Sequence, residues 1–239
     1  CIRDRKRSMR WSDHNLMWGR PLRSIFARFN NNKLLFKFDH LETNDEVIIE
    51  QDLIIKTKKI KKFAEYLAFL KSHEIIVDHE EREKIILKKI NSVAKSKQYK
   101  EHLNPKLLEE VVNIVEDPNL LLVNFNKDYL KIPQEIIIST LEKNQRYFPI
   151  FDSRDRLTNY FFVIANKKDE KKLITEGNKR VVEARLADAK FFWDKDRSKN
   201  LIKQIGNLKS ITFYEKLGTI YDKTQRLRQL AGLLSDDLN

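Results

Sequence analysis

The sequence predicts an α+β fold: a mixed α/β module over residues 1–205, with two β-hairpins and packed helices, followed over 206–239 by the start of an all-α domain. Three observations lead there. Two polar turn clusters lie between β-branched and aromatic runs, which is the pattern of a hairpin. Apolar residues recur at helical spacing in several stretches. Beyond about residue 205 the segments NLIKQIGNLKSI and EKLGTIYDKTQRLRQLAGLL read as helical with no strand between them. At 239 residues and 41% hydrophobic content the chain is long enough to bury a core, so disorder is not expected.

The elements follow in order. RPLRSIFARF and KLLFKFDHL flank Asn30, Asn31 and Asn32, and asparagine tolerates left-handed backbone, so a first hairpin is expected there. VIIEQDLII, residues 47–55, is a third strand candidate. In KTKKIKKFAEYLAFLK the period changes, and Ile60, Phe63, Leu67 and Leu70 share one helical face. HEEREKIILKKINSVAK carries acids in its first turn and lysines in its last, which suits the helix dipole. Asn104 before Pro105 is a cap followed by a first-turn proline, opening a helix that Pro118 closes. LLLVNF has the length and continuity of a buried strand. PQEIIISTLEKNQ is a short helix begun by Pro133. RYFPIFD and LTNYFFVIAN, separated by SRDR, form the second hairpin. Residues 169–197 read as helical with a soft break at Gly177. In that helix Val181, Leu186, Ala189 and Phe192 make an apolar stripe, and Arg185 can pair with Asp188 across one turn.

Lysine and arginine number 47 against 35 acids, a formal charge of +12, which favours an anionic partner or reflects a lysine-rich composition. Arg3, Arg5, Lys6, Arg7 and Arg10 precede Trp11 with a single acid among them, a composition suited to an exposed arm facing phosphate. Cys1 is the one cysteine, so no disulfide framework or thiolate metal site is expected, and a reducing cytoplasm fits. No apolar run reaches the roughly 20 residues that span a bilayer. The five glycines, at 19, 177, 206, 218 and 232, have no phosphate-cradling spacing. Histidines 14, 40, 73, 79 and 102 form no paired metal-ligand motif, so no metal site is expected. Nor does any residue pattern point to a nucleophile. The start without methionine and the open helical pattern at the end suggest a piece of a longer chain.

Five blocks taken together are more specific. MRWSD with RPLRSI, IIVDHEERE, EKNQRYFPIFD, EGNKRVVEARLADAKFFWDKDR and KLGTIYDK run from about residue 6 to residue 225. In that order they resemble the beta subunit of the bacterial heterotetrameric glycyl-tRNA synthetase. The resemblance implies a non-catalytic, tRNA-binding and assembly part of a glycine–tRNA ligase, in the cytoplasm. Its partners would be tRNA(Gly) and an alpha subunit in an α2β2 tetramer. ATP, magnesium and the aminoacylation site would lie on the alpha subunit, with no cofactor here. It also implies a module like the B3/B4 region of phenylalanyl-tRNA synthetase, then an HD-like helical domain starting at EKLGTIYDKTQRL. Anticodon binding would lie beyond Asn239. The resemblance departs at 41–55, where LETNDEVIIEQDLII stands in place of a Thr-Arg-Gly-His-Arg-Phe-like loop. A hydrolytic editing module and a purely structural scaffold for the alpha subunit are the alternatives.

For tRNA contact the residues singled out are Arg3, Arg5, Lys6, Arg7 and Arg10, then Lys58, Lys59, Lys61 and Lys62, and finally Arg180 and Arg185. The last two serve either to tie their helix to buried acceptors or to face phosphate, since the guanidinium fork suits both. Trp11 and Trp18 are candidate stacking or packing surfaces. Tyr147 and Phe148 could stack a base or fill a core.

Overall fold

A computed structural model describes residues 8–51 and 54–237 of the chain. Strand β1 (Ile25–Phe26) is followed by β2 (Arg28–Phe29), which turns back onto β3 (Asn32–Lys33). Asn30 and Asn31 between them have φ of 45° and 62°, the left-handed pair that a two-residue hairpin turn requires and that asparagine accepts. The first expected hairpin therefore exists, but it is short. Strand β4 (Lys37–Phe38) turns directly into β5 (Leu41–Asn44), and β5 also pairs in parallel with β1, giving the order β1-β5-β4.

Strands β6 (Glu46–Gln51) and β7 (Ile54–Lys59) form a second antiparallel ladder. This corrects two expectations. The 47–55 stretch is parts of two strands, and the lysine-rich residues to 59 are extended rather than helical. Helix α1 (Phe63–Lys71) starts later than the periodicity suggested. Its face is also different: Phe63 is 69% and Leu67 41% exposed, while Phe69 and Leu70 are buried. Ile60 is buried too, but from an extended link, so counting helical phase from it places the wrong residues inward.

Helix α2 (His79–Lys97), β8 (Lys100–Glu101) and α3 (Pro105–Ile114) follow. The Asn104 carboxamide oxygen accepts from the Lys106 amide at 3.1 Å, as its position before proline predicts. Next come β9 (Asn119–Asn124), α4 (Gln134–Ser139) continued by a π-helical turn over Thr140–Gln145, then β10 (Phe148–Phe151) and β11 (Leu157–Ala165). Strands β10 and β11 are the second expected hairpin, within a four-stranded sheet of order β8-β10-β11-β9. Helix α5 (Leu173–Arg197) runs without a break at Gly177. Its first turn is capped from a distance: the Asp169 carboxylate accepts from the amides of Ile174 (2.9 Å) and Thr175 (2.7 Å).

The segment beyond 205 is not all-α. A 3₁₀ stretch over Ile202–Ser210 leads to a small ladder of β12 (Thr212–Tyr214) and β13 (Gly218–Thr219) before helix α6 (Ile220–Asp237). Thr212, Phe213 and Tyr214 are β-branched or aromatic and prefer extended backbone, a signal that the surrounding helical pattern hides. At the helix start, the Asp222 carboxylate accepts from the Thr219 amide at 2.8 Å, and the Thr219 hydroxyl accepts from the Asp222 amide at 3.2 Å. This is the reciprocal capping arrangement.

The chain divides into two units interleaved in sequence: 1–91 with 108–119 and 164–168, and 92–107 with 120–163 and 169–239. The core of the first contains Val47, Ile49, Ile60, Phe69 and Leu70. That of the second gathers Val123, Phe125, Ile137, Leu141, Tyr147, Phe161, Val182 and Leu186. Within it, Tyr147 stacks on Phe161 with ring centroids 5.2 Å apart, and Phe148 is also buried. Both are core residues rather than free stacking platforms. On α5 the inward pair is Val182 and Leu186, whereas Val181 and Phe192 are 43% and 59% exposed, correcting the stripe read from sequence. The Arg185–Asp188 pair does not form among the described residues, and both side chains are exposed.

Leu186→Ala should therefore cost about 2–5 kcal/mol in urea denaturation, while Phe192→Ala should stay within about 0.5 kcal/mol. Gly218 has φ of 77°, and a Cβ there would meet the Asp222 carboxylate at 2.5 Å. Gly218→Ala should thus destabilise by about 1–3 kcal/mol, seen as a lower thermal midpoint.

Candidate nucleic-acid interface

The first unit contains an open groove of about 590 Å³, lined among others by Phe26, Arg28, Lys61, Lys62, Phe63 and Tyr66. Its construction begins at Ile60. That side chain is buried, and its amide donates to the Asp45 carbonyl at 3.0 Å, which anchors the link between β7 and α1. With Ile60 held inward, Lys61 and Lys62 are left exposed at the groove edge. The Glu65 carboxylate then accepts from the amides of Lys61 (3.0 Å) and Lys62 (3.4 Å), satisfying donors that the helix start leaves open. The Lys61 amide bond, followed by that of Lys62, holds the Glu65 carboxyl below its ordinary range despite some opposing desolvation.

Aromatic rings line the same groove. Phe26 and Tyr66 lie with centroids 5.9 Å apart and planes 11° apart, and Phe63 and Tyr66 are 6.2 Å apart at 29°. Phe63 remains largely exposed, so one ring of this series is open to a further planar group. Opposite it, the β2–β3 turn folds Arg28 into the wall, where a terminal guanidinium nitrogen donates to the Asn31 carbonyl. The Arg28 Nε is buried and has no hydrogen-bond partner among the described residues. A buried unmet donor costs about 1–3 kcal/mol.

The lysines of residues 56–62 do not form one strip. In the β6–β7 register Lys56 and Lys58 stand opposite Ile49 and Val47, so they share the face that covers the core. Lys58 Nζ lies 5.6 Å from the Phe69 ring centroid, packing its stem on an aromatic surface. Lys59 stands opposite Glu46, on the other face. Lys61 and Lys62 alone of these lysines line the groove.

The other sequence-derived positions are dispersed. Arg10 is exposed in a loop closed by a bridge between Met9 and Trp18. Arg180 and Arg185 are exposed on α5 in the second unit and are bound to no acceptor among the described residues, which sets aside the tie to buried carboxylates. Five residues apart, they diverge by about 140° around the helix. Arg3, Arg5, Lys6 and Arg7 lie outside the described residues. Sequence reading missed Arg28, Tyr66 and the exposure of Phe63; the asparagine turn was the available clue, since it reverses the chain immediately after Arg28. It also missed a grouping of His14 with Asp39 and His40, whose donor atoms lie within 4.8 Å of one another.

Relatives along nearly the whole chain are subunits of an aminoacyl-tRNA synthetase. The family model described as glycyl-tRNA synthetase beta subunit matches residues 4–239, and the chain belongs to that family. The glycine–tRNA ligase beta subunit of Trichlorobacter lovleyi is 36% identical over 237 residues, covering 98% of this chain and 34% of the relative. That of Thermodesulfovibrio yellowstonii is 36% identical over 231 residues, 96% of this chain and 34% of the relative. That of Dictyoglomus thermophilum is 37% identical over 223 residues, with coverages of 93% and 32%. The chain thus spans about a third of the length of the curated relatives it matches. Among the described residues no helix is long and apolar enough to cross a membrane.

Because the Glu65 pKa is depressed on folding, its interaction stabilises α1 fully above the ordinary glutamate value of about 4.3 and is lost as the pH falls through the lower folded value. Glu65→Gln should flatten that part of the acid unfolding profile. The titration of the Glu65 side-chain carbon by NMR, with a midpoint below the ordinary range, checks the cause.

Proposed function

We propose that this chain is a tRNA-binding and assembly part of glycine–tRNA ligase, in which aminoacylation with ATP and magnesium takes place on an alpha subunit. Family membership supplies the context, and the groove of the first unit supplies the observation that carries the RNA reading. Arg28, Lys61 and Lys62 present cations beside an exposed ring. Phosphate contacts of this kind position RNA without reading its sequence. An unpaired base can extend the Phe26–Tyr66–Phe63 series by stacking on Phe63, because every base offers a flat face. The groove thus suits a single-stranded end or loop of tRNA(Gly) better than a helical stem.

Arg10, Lys59, Arg180 and Arg185 are further exposed cations in the proposal, and Arg3, Arg5, Lys6 and Arg7 enter it on charge alone. Lys58 is assigned mainly to packing on Phe69. The α2β2 assembly with the alpha subunit, a cytoplasmic setting and an HD-like character for the helical region at the end of the chain belong to the same reading.

The test is fluorescence anisotropy of labelled tRNA(Gly) with the full-length chain across a salt series. Replacing Arg28, Lys61 and Lys62 together by alanine should weaken binding and reduce the logarithmic salt slope by about 1 for each phosphate left without its cation. Phe63→Ala should weaken binding by about 1–3 kcal/mol with the slope unchanged. Unaltered affinity and slope in the triple variant would remove the groove from the RNA-binding surface.

A further inference from the structure

The loop closed by the Met9–Trp18 bridge brings His14 against the turn between β4 and β5. The bridge is held by two backbone hydrogen bonds, Met9 N to Trp18 O at 3.0 Å and Trp18 N to Met9 O at 3.2 Å. At the turn, Asp39 takes φ of 55°, and its carboxylate lies 2.9 Å from His40 Nδ1. The His14 and His40 rings lie face to face, with centroids 3.5 Å apart and planes 8° apart. Trp11 meets His40 edge-on at 6.5 Å and 79°. The side chains of His40 and Asp39 are only 23% and 30% exposed, so all three groups are partly withdrawn from water at one spot.

We infer that His14, Asp39 and His40 form a binding site for a borderline divalent metal ion of the Zn²⁺ type. Two imidazoles and one carboxylate are the donor set that such ions prefer, whereas Mg²⁺ and Ca²⁺ take all-oxygen shells. The donor atoms lie within 4.8 Å of one another. A tetrahedral ion with bonds of about 2.0–2.2 Å would hold them roughly 3.4 Å apart, so closure needs a movement of about an ångström. Parallel rings point their lone pairs side by side, and one must turn to converge on the ion. His40 is braced by Asp39 and Trp11. His14, in a loop without regular secondary structure, is the ring that turns. Asp39 also lines an open cavity of about 420 Å³ with Asn15, Leu16, Met17, Trp18, Lys37 and Phe38, which gives the ion a path of entry.

The ion would staple the 10–17 loop to the β4–β5 turn. Those segments are separated by about 25 residues, and neither contributes a side chain to the Val47–Ile49–Ile60–Phe69–Leu70 cluster. The fourth coordination position would be filled by water, since the set supplies three protein donors.

Zinc uptake by the untagged, full-length protein after chelation and dialysis tests the inference, with Cys1→Ser as background so that the thiol does not compete. Isothermal titration should show one equivalent of Zn²⁺ that His14→Ala and His40→Ala each remove or weaken at least ten-fold, with the His73→Ala control unchanged. Equal uptake by the His14 and His40 variants and their parent would overturn the site. A second measurement needs no variant: Co²⁺ added to the parent should broaden the ring proton signals of His14 and His40 first. Sharp signals from those two rings at saturating Co²⁺ would equally overturn it.

Discussion

The burial of Ile60 is the constraint on which the packing of β6, β7 and α1 depends. One β-branched side chain, placed between an edge strand and a helix, joins Val47, Ile49, Phe69 and Leu70 and stops the extended chain of β7 from continuing. Burying a side chain of this size contributes about 1.5–3 kcal/mol, and here it also sets direction. The two residues after it turn outward as lysines, and Glu65 comes within reach of their amides. Helix start, groove wall and positive edge all follow from that single inward side chain.

The ladder beside this cluster has one fully exposed strand. Every described residue of β7 is exposed, including Ile54 and Ile55, and the strand pairs on one side with β6. Lysines on an edge strand discourage further pairing by their charge and solvation. Lys56 and Lys58 stand on this strand, and Lys58 lays its stem near the Phe69 ring. Arg28 is different in kind. Its guanidinium is drawn into a wall with Nε buried and unmet among the described residues, an arrangement that costs stability. In the second unit Phe125, Phe161, Val182 and Leu186 are fully enclosed and the arginines of α5 are exposed.

Much of the fold was legible because it rests on local rules. The asparagine turn after Arg28, the Asn104 cap, the α2 helix with its sorted charges and the aromatic hairpin around 153–156 each carry their signal within a few residues. The structure departs from these local rules where two periods overlap. Lysine, threonine and isoleucine in 54–60 suit an edge strand as well as a helix, and the β6 partner decided for the strand. In α5 the apolar residues outnumber the inward positions, and packing buries Val182 and Leu186 while Val181 and Phe192 stay exposed. In 212–219 a strand-forming triplet was too short to compete with the helices on either side.

The sequence by itself determined the α+β class, most helix and strand positions, the surplus of positive charge and the membership of the glycyl-tRNA synthetase beta subunit family, since ordered blocks and local propensities survive without tertiary packing. Only the tertiary structure decided which cations share a surface. Arg28 and Lys61 are more than thirty positions apart, as are Phe26 and Tyr66, and His14 stands some twenty-five positions from Asp39. A linear pattern does not encode such distances: side chains meet when the backbone closes a loop and buries the residues that hold it shut, and that energy belongs to the folded whole.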